Sequence, residues 1–222
     1  MRAFFYSFAL SLLLACEAPG GQPGLELEFQ AACHPILSQR RPLDSLRTVG
    51  PAHLSMWDSL LVTYQRRLQT ASSLPAESRR AIESGLAEIA AEALKYRRDP
   101  AAYNLGGALK QVLAENKIPL TRRLLAIEAQ MKQAPAYYQT AKANLYAPLP
   151  ARCRLAVEKH SLALDFLSNE LSDSLSRSSL SEAEAYRFKR TADQARIAVK
   201  DYLAFCQSLY FEHQDSLILR NH

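Results

Sequence analysis

Glycine is scarce in this sequence: seven of its 222 residues are glycine, and none follows Gly107. The dipeptides Asn-Gly and Asp-Gly, which close two-residue β-hairpins, do not occur. A Gly-x-Ser-x-Gly elbow is also missing, and the second half of the chain has no glycine with which to cradle a phosphate. These absences exclude two common catalytic motifs and argue against a turn-rich β protein.

Histidine occurs at five positions, and none of them belongs to a zinc-binding His-Glu-x-x-His helix. His160 has Ala156 and Leu164 one helical turn away on either side. This setting predicts a core or rim histidine held by one hydrogen bond, and the alternative is a metal ligand or a base. His34 lies next to Cys33, but two neighbouring ligands do not make a metal site. From the residues we predict no metal, no cofactor and no catalytic residue.

The composition is that of a folded protein. Hydrophobic residues make up 48% of the chain and charged residues 22%, which is typical of globular rather than disordered proteins. The length is sufficient for one domain with a sizeable core, and for two at most.

Apolar residues recur every three or four positions from Pro51 onward, which is the pattern of helices with one buried face. No segment sustains the period of two that a half-buried strand requires. The five apolar stripes are Leu54, Trp57, Leu61, Tyr64 and Leu68; Ile82, Leu86, Ile89, Ala93 and Tyr96; Leu120, Leu124, Ile127, Met131 and Ala134; Ala156, Ala163, Leu167 and Leu171; and Phe188, Ala192, Ala195, Val199, Tyr202, Cys206 and Leu209. We predict an all-α fold, an antiparallel multi-helix bundle or array over residues 51–222.

Local signals indicate where these helices begin. Six prolines lie near predicted helix starts, where a missing N–H is tolerated: Pro51, Pro75, Pro100, Pro119, Pro135 and Pro150. Asp99 is a predicted N-cap, and Ser181 with Glu184 has the form of a capping box. Gly106 and Gly107 indicate either a broken helix or a close helix crossing. Residues 25–50 are predicted to form an irregular lead-in segment that packs on the bundle.

The first 24 residues have the layout of an export signal followed by a tether. Met1 and Arg2 precede an apolar run that is too short to cross a bilayer as a helix. Leu13-Leu14-Ala15-Cys16 resembles the bacterial lipoprotein box, in which the signal is cut before the cysteine and the cysteine is acylated with chains such as palmitate. We predict a signal peptide over 1–15, acylation of Cys16 and a flexible tether over 16–24. The alternative is an ordinary signal, or an anchor, with an incidental cysteine.

Three further cysteines, Cys33, Cys153 and Cys206, follow the predicted anchor. Export would place them where disulfides persist, but an odd number leaves at least one thiol free. The sequence leaves open whether two of them pair or all three are core residues. Ten tyrosines leave a similar choice between a binding groove and the core, and we expect most of them in the core.

Arginine occurs in five adjacent pairs, and the formal net charge is +5. The pairs are Arg40 and Arg41, Arg66 and Arg67, Arg79 and Arg80, Arg97 and Arg98, and Arg122 and Arg123. Such pairs could form a patch that binds anionic lipid or wall polymer, or they could belong to a mixed, solvated surface. Nucleic acid is not an expected partner of an exported, tethered protein.

The segments 99–103, 119–128, 134–138 and 141–145 are followed by Ala198, Tyr202 and Phe205. This order is similar to the N-terminal helical part of the bacterial domain-of-unknown-function 885 family. The resemblance implies a helical fold and, for full-length members, export as lipoproteins and a zinc-binding His-Glu-x-x-x-x-His motif in a later half. That motif does not occur here, so the resemblance assigns no catalytic residue to this chain.

The sequence supports three functional hypotheses. The first is a membrane-tethered lipoprotein of the cell envelope that works as a binding or scaffolding module, with an envelope protein or an anionic polymer as its partner. The second is a protein related to metallopeptidases that is truncated or completes a separate catalytic chain. The third is a binder of anionic lipid or wall polymer through the arginine pairs.

Overall fold

The computed structural model describes residues 24–37 and 43–219, with side chains described as far as Phe211. Within these ranges the chain forms eight α-helices, one 3₁₀ helix and no strand. The α-helices are α1 (Gly24–Leu37), α2 (Pro51–Thr70), α3 (Ala76–Arg98), α4 (Leu105–Ala114), α5 (Leu120–Asn144), α6 (Pro150–Ser168), α7 (Glu170–Ser176) and α8 (Glu182–Leu219). The predicted all-α fold is confirmed. No helix in the described ranges has both the length and the apolar character needed to span a bilayer.

The buried faces of the helices follow the predicted apolar stripes. Every residue of the second and fourth stripes is buried, and Leu171, the last residue of the fourth stripe, lies in α7 rather than in α6. In α2, α5 and α8 only Leu61, Leu120 and Leu209 are partly exposed. The stripes meet in a single hydrophobic core. Burial of one apolar face therefore holds most of the array together.

The segment 25–50 contains a helix that was not predicted. Helix α1 occupies Gly24–Leu37, and the irregular structure described in the lead-in is confined to residues 43–50. Leu25, Phe29, Cys33 and Ile36 form the buried face of α1, a helical spacing of four, four and three. The prediction of an irregular segment was wrong because Pro35 and the short Leu-Glu-Leu-Glu alternation obscured this spacing. The prediction that the segment packs on the helical core is correct, since these residues belong to that core.

Most of the predicted helix starts are correct. Pro51 and Pro150 occupy first positions of helices, and the Asp99 side chain accepts a hydrogen bond from the Ala101 amide at 2.9 Å. The Ser181 amide donates to Glu184 Oε2 at 2.9 Å, as the predicted capping box requires. Pro135 is an exception, because α5 continues through it. Burial of apolar side chains on both sides of Pro135 outweighs the loss of one backbone hydrogen bond.

Helices that follow each other across a short turn pack antiparallel. In the α2–α3 pair, Trp57 lies against Tyr96 at one end, and Arg79 donates to the Leu68 carbonyl at the other. The long helix α8, by contrast, runs parallel to α5. Glu128 of α5 pairs with Arg187, and a later α5 residue, Lys142, pairs with Asp201.

The glycine pair in α4 permits a close helix crossing, one of the two predicted alternatives. A Cβ atom at Gly106 would lie 2.5 Å from the Cβ atom and 3.0 Å from the Cα atom of Ala163 in α6. The two backbones could not approach in this way with a larger residue at position 106. The contact fixes the position of the first turn of α4 against α6.

Candidate functional site

A cluster of buried aromatic side chains lies at the centre of the described fold. The Tyr138 and Tyr202 rings stack with their centroids 4.5 Å apart, and the Tyr202 hydroxyl donates to the Pro100 carbonyl at 3.0 Å. His160 is fully buried beside them, with Nδ1 3.3 Å from the Tyr138 hydroxyl oxygen. Burial lowers the pKa of His160 to about 4, although the Pro100 carbonyl acts in the opposite direction.

This setting decides between the two predictions for His160. The imidazole is a core group with one side-chain hydrogen-bond partner, and it is closed off from solvent. Among the described residues, no three His, Cys, Asp or Glu side chains are close enough to hold a metal ion together. The burial of His160 and its hydrogen bond with Tyr138 agree with the predicted core histidine.

The described cysteines are all core residues with free thiols. Cys33, Cys153 and Cys206 are buried, and no disulfide joins them. Burial raises the pKa of the Cys33 thiol to about 11 and that of Cys206 to about 12. Thiols that are buried and protonated in this way are poor nucleophiles.

A groove with a volume of about 620 Å³ lies between α3 and α4. We call it the α3–α4 groove. Its lining consists of Leu46, Arg47, Glu92, Lys95, Tyr96, Ala102, Asn104, Gly107, Ala108, Gln111 and Tyr137. The volume lies within the range of small-molecule sites, but the groove is open to solvent and largely polar.

Three charged side chains form one wall of the groove. Arg47 pairs with Glu92 at 2.8 Å, and Lys95 reaches the other oxygen of the same carboxylate at 3.3 Å. The Arg47 guanidinium also donates to the Ile36 carbonyl at 2.7 Å. Its charge lies 5.6 Å from the centre of the Tyr96 ring, a cation–π distance. Arg47 is therefore held on several sides. The Lys95 ammonium group also lies over the Tyr96 ring, at 5.4 Å, but the Lys95 side chain is 47% exposed.

The opposite wall is the first part of α4. Asn104 is the N-cap, and its side-chain oxygen accepts a hydrogen bond from the Gly107 amide at 2.9 Å. A Cβ atom at Gly107 would overlap the Asn104 amide nitrogen, so glycine makes room for this cap. Gln111 is exposed two turns further along the same face. Neither the Asn104 amide nitrogen nor the Gln111 side chain has a hydrogen-bond partner within the described ranges.

The predicted arginine pairs lie in three separate parts of the fold. Arg66, Arg67, Arg79 and Arg80 lie around the α2–α3 turn. Arg97 and Arg98 lie at the other end of α3, whose 23 residues rise about 34 Å. Arg122 and Arg123 lie in the first turn of α5, where the Arg123 side chain donates to the Leu113 carbonyl. Arg40 and Arg41 lie outside the described residues.

Most of these arginines have structural partners. Arg67 pairs with Glu28 at 2.8 Å, and Arg97 pairs with Asp58. Arg79 donates to the Ala71 carbonyl at 2.7 Å, and Arg98 donates to the Ala147 carbonyl. Among the paired arginines that the structure describes, Arg66, Arg80 and Arg122 are exposed and have no side-chain partner.

The predicted lipidation site cannot be placed in this geometry. Cys16, the signal peptide over 1–15 and the tether up to residue 23 lie outside the described residues. Gly24, the last residue of the predicted tether, is instead the first residue of α1. The groove residues Arg47, Lys95 and Asn104 were not predicted from the sequence, since each is an ordinary polar residue outside any motif.

Comparison with known proteins identifies the fold. No protein-family model matches the chain. No curated protein matches it either. The fold is similar to the solved structure of a candidate lipoprotein of unknown function from Shewanella oneidensis, with a TM-score of 0.64 and 23% sequence identity over 85% of this chain. The match covers 36% of that protein, so this chain spans little more than a third of its length.

Proposed function

We propose that the protein is a lipoprotein of the bacterial cell envelope, tethered to a membrane through acylated Cys16, and that its helical domain is a ligand-binding module. The box Leu13-Leu14-Ala15-Cys16 supports the anchor. The observation that carries the binding role is the α3–α4 groove, whose volume of about 620 Å³ fits a small molecule. Two or three acyl chains would keep the module on the membrane.

The similar fold of a candidate lipoprotein supports the same proposal. That protein is much longer than the region it shares with this chain. The same is expected of the domain-of-unknown-function 885 family, whose full-length members carry their catalytic half after the helical part. The residues described here supply a groove rather than a catalytic group. We therefore rank binding above the metallopeptidase-related alternative, in which the chain would complete a separate catalytic part.

The distribution of charge favours the groove over a general anionic-surface site. The exposed arginines Arg66 and Arg80 lie near the α2–α3 turn, where Glu77 and Glu83 of α3 are acidic neighbours in the sequence. Mixed charges of this kind bind lipid or wall polymer weakly and mainly at low salt. The third hypothesis therefore ranks below the first.

The anchor is tested by growing cells that express the full chain with a labelled fatty acid. We expect label in the wild-type protein and in Cys33→Ala, because Cys33 is buried in α1. We expect none in Cys16→Ser, which should be released or remain uncut. Label that persists in Cys16→Ser would contradict the proposed anchor.

A further inference from the structure

The α3–α4 groove offers more hydrogen-bond donors than acceptors. Lys95 has three N–H donors and directs one of them to Glu92 at 3.3 Å. The Asn104 side-chain oxygen is occupied by the Gly107 amide, which leaves its NH₂ group available as a donor. The Gln111 amide adds two donors and one acceptor at the exposed end.

Acceptors on the charged wall are already in use. Glu92 is the one acidic residue in the described lining, and both of its oxygens are engaged, one by Arg47 and one by Lys95. A cationic ligand would have to break these pairs. With two cations and one carboxylate, the described lining has a formal charge of +1. The N-terminal end of α4 adds a partial positive charge next to Asn104.

From this arrangement we infer that the α3–α4 groove binds a small organic oxyanion, a carboxylate or a phosphate, between the Lys95 ammonium group and the Asn104 amide. The inference rests on the proposed function only in using the same groove, and it does not depend on the anchor. Charge-assisted hydrogen bonds from Lys95 provide most of the affinity, and the neutral amide of Asn104 adds a further hydrogen bond to the oxyanion. Gln111, two turns along α4, is available to another polar group of the same ligand.

The rest of the ligand has room beside the oxyanion. Tyr96 and Tyr137 line the groove together with Leu46, Ala102 and Ala108. The two tyrosine rings are 5% and 6% exposed and form a largely buried floor, so the partly exposed Leu46, Ala102 and Ala108 provide the apolar surface for a short carbon skeleton. At about 620 Å³ the groove has room for an organic anion as well as for an inorganic one.

The test is isothermal titration calorimetry on the full chain purified in detergent. The probes are inorganic phosphate, glycerol 3-phosphate and succinate, with glycerol as the uncharged control. We expect saturable binding of at least one oxyanion, no binding of glycerol, and weaker binding at high salt. Tighter binding of succinate would indicate a carboxylate ligand, and tighter binding of glycerol 3-phosphate would indicate a phosphate ligand.

Two variants locate the site. Lys95→Met removes the ammonium group and should weaken binding about tenfold, the effect of losing one charge-assisted hydrogen bond. Asn104→Asp keeps the cap acceptor for the Gly107 amide and suits the helix N-terminus, so the protein should be as stable as the wild type. It replaces a donor with a negative charge and should weaken binding by at least tenfold. Lys200→Met, an exposed α8 residue outside the groove, is the control and should bind like the wild type.

Two results would overturn the inference. One is the absence of binding of every oxyanion at about 10 mM, which would fill even a millimolar site. The other is equal binding by wild type, Lys95→Met and Asn104→Asp, which would place the anion elsewhere. Binding by Cys16→Ser that matches the wild type would support the inference even if the acyl-labelling experiment failed. Labelled protein that binds no oxyanion would leave the anchor in place and contradict the inference alone.

Discussion

Gly106 of α4 lies directly against Ala163 of α6, so that a Cβ atom at position 106 would come within 2.5 Å of the Ala163 Cβ atom. Because Gly106 has no side chain, the α4 backbone lies in direct contact with Ala163 of α6. Because Asn104 and Gly107 belong to the same first turn, the contact also positions one wall of the α3–α4 groove.

We predict that Gly106→Ala destabilises the protein by about 1–3 kcal/mol, the usual cost of overpacking a tightly packed interface. The neighbouring variant Gly107→Ala is a matched control. Its new methyl group meets only the Asn104 side chain, which can move, and loss of that cap is offset by the higher helix propensity of alanine. Denaturant unfolding followed by circular dichroism measures both changes.

A compensating change tests the cause of the Gly106→Ala effect. Ala163→Gly removes the methyl group that the new Cβ atom would meet, so the double variant should recover part of the lost stability. Equal free energies of unfolding for Gly106→Ala and Gly107→Ala would show that the α4–α6 crossing is looser than described.

Phe29 is one of four buried α1 residues that attach this helix to the core. The Phe29 ring packs against Tyr64 with the centroids 5.0 Å apart, and Gly85 makes room for it, since a Cβ atom there would lie 2.5 Å from Phe29 Cε1. We predict that Phe29→Ala costs about 3–5 kcal/mol, the usual effect of removing a buried phenylalanine. Because α1 lies near the start of the described chain, we expect it to detach before the rest of the fold.

Limited proteolysis separates local detachment from global unfolding. Phe29→Ala should be cleaved within residues 24–50 while the remainder stays protected. Leu27→Ala is the control, because Leu27 is an exposed α1 side chain, and its cleavage should match the wild type. Protection of this segment in Phe29→Ala would mean that α1 does not depend on the Phe29 contact.

The buried imidazole of His160 should make the fold sensitive to acid. Burial lowers its pKa to about 4 in the folded protein, whereas an unfolded chain has a pKa of about 6.5. Between these values the unfolded state binds the proton and the folded state does not, so stability falls as the pH decreases. The stabilising contribution is complete above pH 6.5, and about 3 kcal/mol of it is lost by pH 4.

Unfolding experiments between pH 7 and pH 4 measure this effect. His160→Phe keeps an aromatic ring at the position and removes the titrating group, so its stability should change less with pH than that of the wild type. His34→Gln, at an exposed histidine, controls for the loss of one imidazole. A pH dependence of the same steepness in wild type and His160→Phe would contradict the role of His160.

The accuracy of the sequence-based predictions depended on whether the signal was local. The buried face from Ile82 to Tyr96 was predicted correctly because the spacing of apolar residues within this one helix is sufficient to identify it. Pro135 misled the prediction, since packing on both sides of it carries α5 through a residue that usually marks a helix start. In α1 the spacing Leu25, Phe29, Cys33 and Ile36 was present but was interrupted by Pro35.

The groove could not have been predicted in the same way. Arg47 comes from the lead-in segment, Lys95 from the end of α3 and Asn104 from the cap of α4. They meet because of tertiary packing, and none of them stands in a motif. Arg47 lies 48 residues before Lys95, and a single sequence carries no signal that would join it to Lys95 and Asn104.

The central claim, that a membrane-tethered module begins at Cys16, is tested most directly by intact-mass spectrometry of the native polypeptide extracted from cells. We expect the mass of a chain that starts at Cys16 with fatty acyl chains added to it, recovered from the membrane fraction. A mass that shows an unmodified Cys16, or a chain that retains residues 1–15 in the soluble fraction, would contradict the account.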